Sequence, residues 1–113
     1  MAGSDLFTGS LDLLLLKALS WGPMHGLGVV RWIETVTRQR LQVEEGALYP
    51  ALHRLERKRW ISASWSTSEN KQRVRVYTLT AKGRKQLERE RSQWEQLSRA
   101  IGALLAAPAR RES

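Results

Sequence analysis

The chain has 113 residues, 19 Lys and Arg against 11 Asp and Glu for a formal charge of +8, and no cysteine. This length holds one domain with a modest core, or a smaller domain plus one appended element, and it excludes a large enzyme. The missing thiols exclude a disulfide framework, a thiolate zinc site and a cysteine nucleophile, while the basic excess attracts a polyanion, either nucleic acid or an acidic membrane surface.

His25 and His53 stand too far apart for a local metal pair, so neither a metal nor a cofactor is expected. The first ten residues lack the basic start and small-residue cleavage pattern of a secretory signal. The leucine run 13–16 is bounded by Asp12 and Lys17 and is far too short to span a bilayer. A cytoplasmic protein is the expectation.

Ser10 is placed to cap a helix starting at Leu11, whose Leu11, Leu14, Leu15, Ala18 and Leu19 recur at three- and four-residue intervals until Trp21-Gly22-Pro23. A second helix fits from His25 or Gly26 to Thr37, with Leu27, Val30, Ile33 and Val36 near one face. After the basic stretch 38–43, a third helix is predicted over Ala47 to Arg59, with Pro50 in its first turn, where a proline is tolerated. Leu48, Leu52 and Leu55 form its apolar stripe. Pro50, His53, Arg54 and Arg57 lie opposite, flanked by Ala47 and Tyr49.

Ile61, Ala63 and Trp65 then alternate with serines, and a polar turn at 67–72 leads to the β-branched and aromatic run 73–79. The pair reads as a hairpin with a basic tip. Arg73 and Arg75 share a side with Tyr77 and Leu79, so only the latter two are expected to reach the core. Trp21, Trp32, Trp60 and Trp65 are read as core or core-edge residues, and His25 as a structural residue at a helix start.

Thr80 is placed to cap a last helix running to about Ala106, before Pro108. Leu87, Trp94 and Ile101 recur every seven residues, and Leu97 and Leu104 form a second series offset by three; Glu90 breaks the seam at one position. A helix carrying such a seam at the end of a small domain exposes it unless a second copy covers it. The fold class is therefore mainly α with a small β-hairpin: a winged helix-turn-helix over 8–80, a dimerisation helix over 81–106 and a flexible tail over 107–113. The expected dimerisation residues are Leu87, Trp94, Leu97, Ile101 and Leu104.

In a winged helix-turn-helix the third helix enters the major groove and the hairpin touches backbone or minor groove. The expected DNA-binding residues are accordingly Ala47, Tyr49, Pro50, His53, Arg54 and Arg57 on the helix and Lys71, Arg73 and Arg75 on the wing. Arg54 is the first candidate for a bidentate guanine contact, Tyr49 suits a phosphate or sugar, and the wing cations would neutralise phosphate.

Four segments resemble the PadR family of bacterial transcription regulators: Leu11-Asp12-Leu13-Leu14-Leu15-Leu16-Lys17-Ala18-Leu19, Gly22-Pro23-Met24-His25-Gly26, residues 45–56 with Glu45-Gly46-Ala47-Leu48-Tyr49-Pro50-Ala51-Leu52, and Tyr77-Thr78-Leu79-Thr80-Ala81-Lys82-Gly83. The third is the most specific, and the similarity runs from about residue 8 to 106. It implies a dimeric winged-helix DNA-binding protein, usually a repressor, often of genes for detoxification, efflux or phenolic-acid metabolism. Leu27 stands where the family usually has a tyrosine, and the single helix after Gly83 resembles the compact members. In those the dimer interface forms an apolar pocket for planar ligands, so the resemblance implies Trp94 as a lining residue for a small planar or phenolic effector; as an alternative, Trp94 fills the seam.

The leading expectation is a ligand-responsive repressor that binds a pseudopalindromic operator as a homodimer. The alternative is a winged-helix protein-protein interaction module, favoured by Glu44, Glu45 and Glu56 interrupting the basic surface. An enzyme is the weakest reading, since the sequence holds no glycine-rich phosphate loop, nucleophile elbow or catalytic carboxylate pair.

Overall fold

Leucine-rich helices and a β-branched hairpin bury one face each, and the computed structural model shows how they share a core. It describes residues 2–110, with side chains from residue 10 onward. In chain order these form α1 (Ala2–Leu19), β1 (Met24–His25), α2 (Gly26–Val36), α3 (Glu45–Arg57), β2 (Ile61–Thr67), β3 (Arg73–Leu79) and α4 (Ala81–Ala106). The three strands make one antiparallel sheet in the order β1-β3-β2. Leu11, Leu15, Leu16 and Leu19 of α1, Val29 and Ile33 of α2, and Leu48, Leu52 and Leu55 of α3 close on Ile61, Tyr77 and Leu79 of the sheet.

Several expectations change. Ser10 lies inside α1, because the helix continues back to Ala2, and does not stand at the helix start expected of it. The buried stripe of α2 is Gly26, Val29 and Ile33; Leu27 and Val36 face outward at 39% and 58% exposure. Apolar residues on several sides of this helix make its periodicity ambiguous, and packing against α1 and β1 selects the face. β1 was not expected, since two residues are too short to show a period of two; it is visible only through pairing of Met24 with Tyr77 and His25 with Val76.

Helix α3 begins two residues earlier than its pattern suggested. Pro50 therefore stands at the sixth position rather than in the first turn, and the Gly46 carbonyl lacks its usual intrahelical donor. At the other end, Trp60 N–H donates to Leu55 O and Arg59 N–H to Glu56 O, the paired bonds of a Schellman cap. Arg59 takes the left-handed conformation there, with φ 62°, where glycine is usual. Arg38 does the same after α2, with Gln39 N–H bonded to Glu34 O. Both caps place a cation beside the negative end of a helix dipole.

The Thr80 cap is present as expected. Its hydroxyl accepts from Gly83 N–H at 3.0 Å and donates to Arg59 O at 2.7 Å, while Thr80 N–H bonds Trp60 O at 3.1 Å. The first turn of α4 is thereby held against the end of α3. Leu87 then enters the shared core at 5% exposure, so it is used within the chain and not at an outer seam. Further along α4, every residue from 91 to 106 is exposed.

Candidate DNA-binding surface

The apolar stripe of α3 fixes which side chains remain outside. Leu48, Ala51, Leu52 and Leu55 are buried, and at 100° per residue the opposite direction belongs to Gly46, Pro50, His53 and Arg57, all exposed. Ala47 lies exposed on one flank. Tyr49, on the other, is 38% exposed, and its ring covers the start of α2: a Cβ on Gly26 would stand 3.0 Å from its hydroxyl oxygen. Gly26 and Tyr49, from two of the motif segments, are thus complementary surfaces that join α2 to α3.

Arg54 is placed differently from the expected base reader. Its guanidinium pairs with Asp12 of α1, and the two side chains are only 34% and 18% exposed. At position 54 the helix turns toward α1, and Asp12 engages the charge that an outward arginine would offer. Arg75 is likewise tied, through Nη2 to Glu56 Oε2 at 2.8 Å, which fastens β3 to α3. Neither pairing is legible along the chain, because the partners lie 42 and 19 residues away.

The wing is built by β2 and β3, paired from Ile61 opposite Leu79 to Thr67 opposite Arg73. Tyr77 and Leu79 reach the core, whereas Arg73, on the same side of the strand, is exposed beyond the core's edge, as expected. Lys71 sits exposed in the connecting loop with φ 60°. Trp65 is 59% exposed and Trp21 70%, so neither belongs to the core; Trp32 and Trp60 are half-buried against it. Trp21 instead leans on Trp32, with ring centroids 5.9 Å apart.

On α4, Trp94, Leu97 and Ile101 are each about half exposed, and Leu104 is 75% exposed, leaving an apolar row without cover in one chain. Trp94 also joins Leu13 and Leu14 of α1, Leu87 and Arg91 in lining an open groove of about 330 Å³. Beside this groove lies Glu90, a half-buried carboxyl on the seam. Burial raises its pKa above the usual value and Asp12 adds to the rise, against the Gln86 hydrogen bond and the positive charges of Lys58 and Arg54. The folded protein therefore holds this proton more tightly than the unfolded chain. That stabilisation is fully present below the ordinary carboxylate pKa and is lost as pH rises through the raised one. Glu90→Gln, which removes the charge and keeps an acceptor for Gln86, should raise the melting temperature at neutral pH. The advantage should close below about pH 4, where the wild-type carboxyl is protonated in both states. A gain independent of pH in thermal melts would refute this account.

Three helices, a paired wing and a cationic outer face on the third helix define a winged helix-turn-helix DNA-binding protein. The chain belongs to the transcriptional regulator PadR-like family, whose model matches residues 15–89. Members are transcriptional regulators rather than enzymes. A transcriptional regulator structure from Clostridium thermocellum is 27% identical and superposes with a TM-score of 0.80 over 88% of this chain and 96% of that one. A PadR family regulator from Eggerthella lenta is 26% identical with a TM-score of 0.78, covering 95% and 91%. Among sequences, a 37.1 kDa uncharacterized protein in transposon TN4556 of Streptomyces fradiae is 41% identical over 91 residues. The transcriptional regulator YqjI of Escherichia coli is 30% identical over 105. The match takes in 80% and 93% of this chain but only 25% and 49% of those two proteins. Among the described residues, no helix is long and apolar enough to cross a membrane.

Proposed function

We propose that this chain is a repressor that binds a pseudopalindromic operator as a homodimer, with residues 8–80 contacting DNA and residues 81–106 pairing the subunits. The observation that carries the reading is the outer face of α3, where His53 and Arg57 are exposed and, among the described residues, pair with no carboxylate. Two such helices related by a dyad enter successive major grooves about 34 Å apart. Arg57 then takes the base-reading part first expected of Arg54, and Lys71 and Arg73 neutralise phosphate. The exposed row Trp94, Leu97, Ile101 and Leu104 supports pairing through α4. The groove beside Trp94 suits a small planar or phenolic effector, released or bound with a change in how the two subunits sit. Such a regulator works in the bacterial cytoplasm, where the chromosome lies.

The test is retardation of the protein's own promoter region, titrated with salt and nonspecific competitor. Competitor-resistant binding that weakens steeply with salt is expected. Arg57→Ala should reduce specific affinity by about tenfold or more, while Arg54→Ala should act mainly by lowering the melting temperature. Equal loss of base preference in both variants would return Arg54 to the interface. Salt-insensitive capture of a protein partner without DNA retardation would favour an interaction module instead. With Glu56 engaged by Arg75, only Glu44 and Glu45 remain to interrupt the basic surface for that reading.

A further inference from the structure

Trp65 is the residue that the fold leaves least explained. Burying an indole is among the largest single gains available to a small protein, yet this one stands 59% exposed on a strand whose earlier members, Ile61 and Ala63, turn inward. The register sets Trp65 opposite Arg75 and Thr67 opposite Arg73, so Trp65, Arg73 and Arg75 share one face of the hairpin. The Arg73 guanidinium carbon lies 4.6 Å from the Trp65 ring centroid, and that of Arg75 lies 5.8 Å away.

The two arginines are not equivalent. Arg75 is neutralised by Glu56 and half-buried. Arg73 is exposed and, among the described residues, has no carboxylate within 4.0 Å; its partner is the indole. A cation held over an aromatic ring keeps its full charge and its outward N–H donors, while its side chain loses freedom before any ligand arrives. Two residues along a strand also carry Arg73 roughly 7 Å beyond the point where Arg75 fastens the wing to α3. With α3 in a major groove, that displacement is directed toward the neighbouring minor groove.

We infer that Trp65 and Arg73 form a single minor-groove reader: the indole packs against the sugar edge and holds the Arg73 guanidinium for insertion where the groove is narrow. This rests on the DNA-binding reading of α3 and deepens it. Narrow minor grooves occur over A·T runs, whose stronger negative potential attracts an inserted arginine. The wing therefore adds sequence preference outside the bases read by α3, beyond the uniform attraction of its cations to phosphate.

The test uses the full chain and a pool of duplexes with a randomised 30-base-pair window, selected separately with wild type, Trp65→Ala, Trp65→Tyr and Arg73→Lys. The wild type should enrich sites with an A·T run beyond each half-site core. Trp65→Ala and Arg73→Lys should lose that run, with about a five- to tenfold fall in affinity for the wild-type site and unchanged core bases. Trp65→Tyr should keep most of it. Circular dichroism on each variant checks folding, which an exposed side chain does not govern. If Trp65→Ala selects the same flanks as wild type, or wild type shows no flank preference, the reader does not exist although α3 still binds. If wild type enriches nothing, the DNA-binding reading itself fails.

Discussion

Gly83→Ala is expected to cost about 3 kcal/mol of folding stability, near the upper end for overpacked sites, and to lower the melting temperature by roughly 10 °C. A Cβ at this position would stand 2.0 Å from the Trp60 carbonyl oxygen, 2.9 Å from its carbon and 2.7 Å from Leu79 Cδ1. Two of those three atoms are backbone, fixed by the Schellman cap of α3 and by the Thr80 N–H bond to the same carbonyl. The strain has no flexible side chain to absorb it, so α4 must lift from the end of α3 and loosen the Thr80 cap. Leu87 would be drawn out of the core with it. Gly102→Ala is the matched control: its Cβ meets nothing within 4 Å, and alanine in an exposed helix gains up to about 1 kcal/mol. Denaturant melts of the two variants should move in opposite directions. A neutral Gly83→Ala would mean that α4 is not seated on the Trp60 turn.

Ile101→Glu is expected to convert a dimer to monomers and, through that, to abolish operator binding. Ile101 is 46% exposed in the single chain and lies between Leu97 and Leu104 on α4, a helix about 39 Å long. Burying one such side chain is worth roughly 1.5 to 3 kcal/mol, and a two-fold interface buries each residue twice. Replacing both copies with carboxylates forfeits about 4 kcal/mol before any repulsion is added, or nearly a thousandfold in the dimer dissociation constant. Sedimentation should show the monomer at micromolar concentration, with the melting temperature extrapolated to low protein concentration unchanged. A variant that remains dimeric would move the interface off this row, and a monomeric wild type would remove the α4 pairing altogether. Arg57→Ala differs from it in kind, since it should leave the dimer intact and weaken DNA affinity alone.

Most of the architecture was legible because amphipathic periodicity is a local property. The α3 stripe at Leu48, Leu52 and Leu55, the alternation in both wing strands and the Thr80 cap each state their structure within a few residues, and all are present. Helix ends were less legible, since the left-handed positions after α2 and α3 hold Arg38 and Arg59 instead of the glycine that usually marks them. The face of α2 was misread because it carries apolar residues on more than one side, and only packing chooses among them.

The chain by itself determined a small basic protein with three helices, a wing and a capped terminal helix, together with the segments that mark its family. The tertiary structure alone decided which charges remain free. Arg54 and Arg75 look as available in sequence as Arg57 and Arg73, but Asp12 and Glu56 reach them across 42 and 19 residues. It also separated Leu87, spent in the core, from Trp94, Leu97, Ile101 and Leu104, left outside it. Hydrophobic period and capping depend on neighbours along the chain. The pairing of a charge, and the side of a seam that is already covered, depend on neighbours in space.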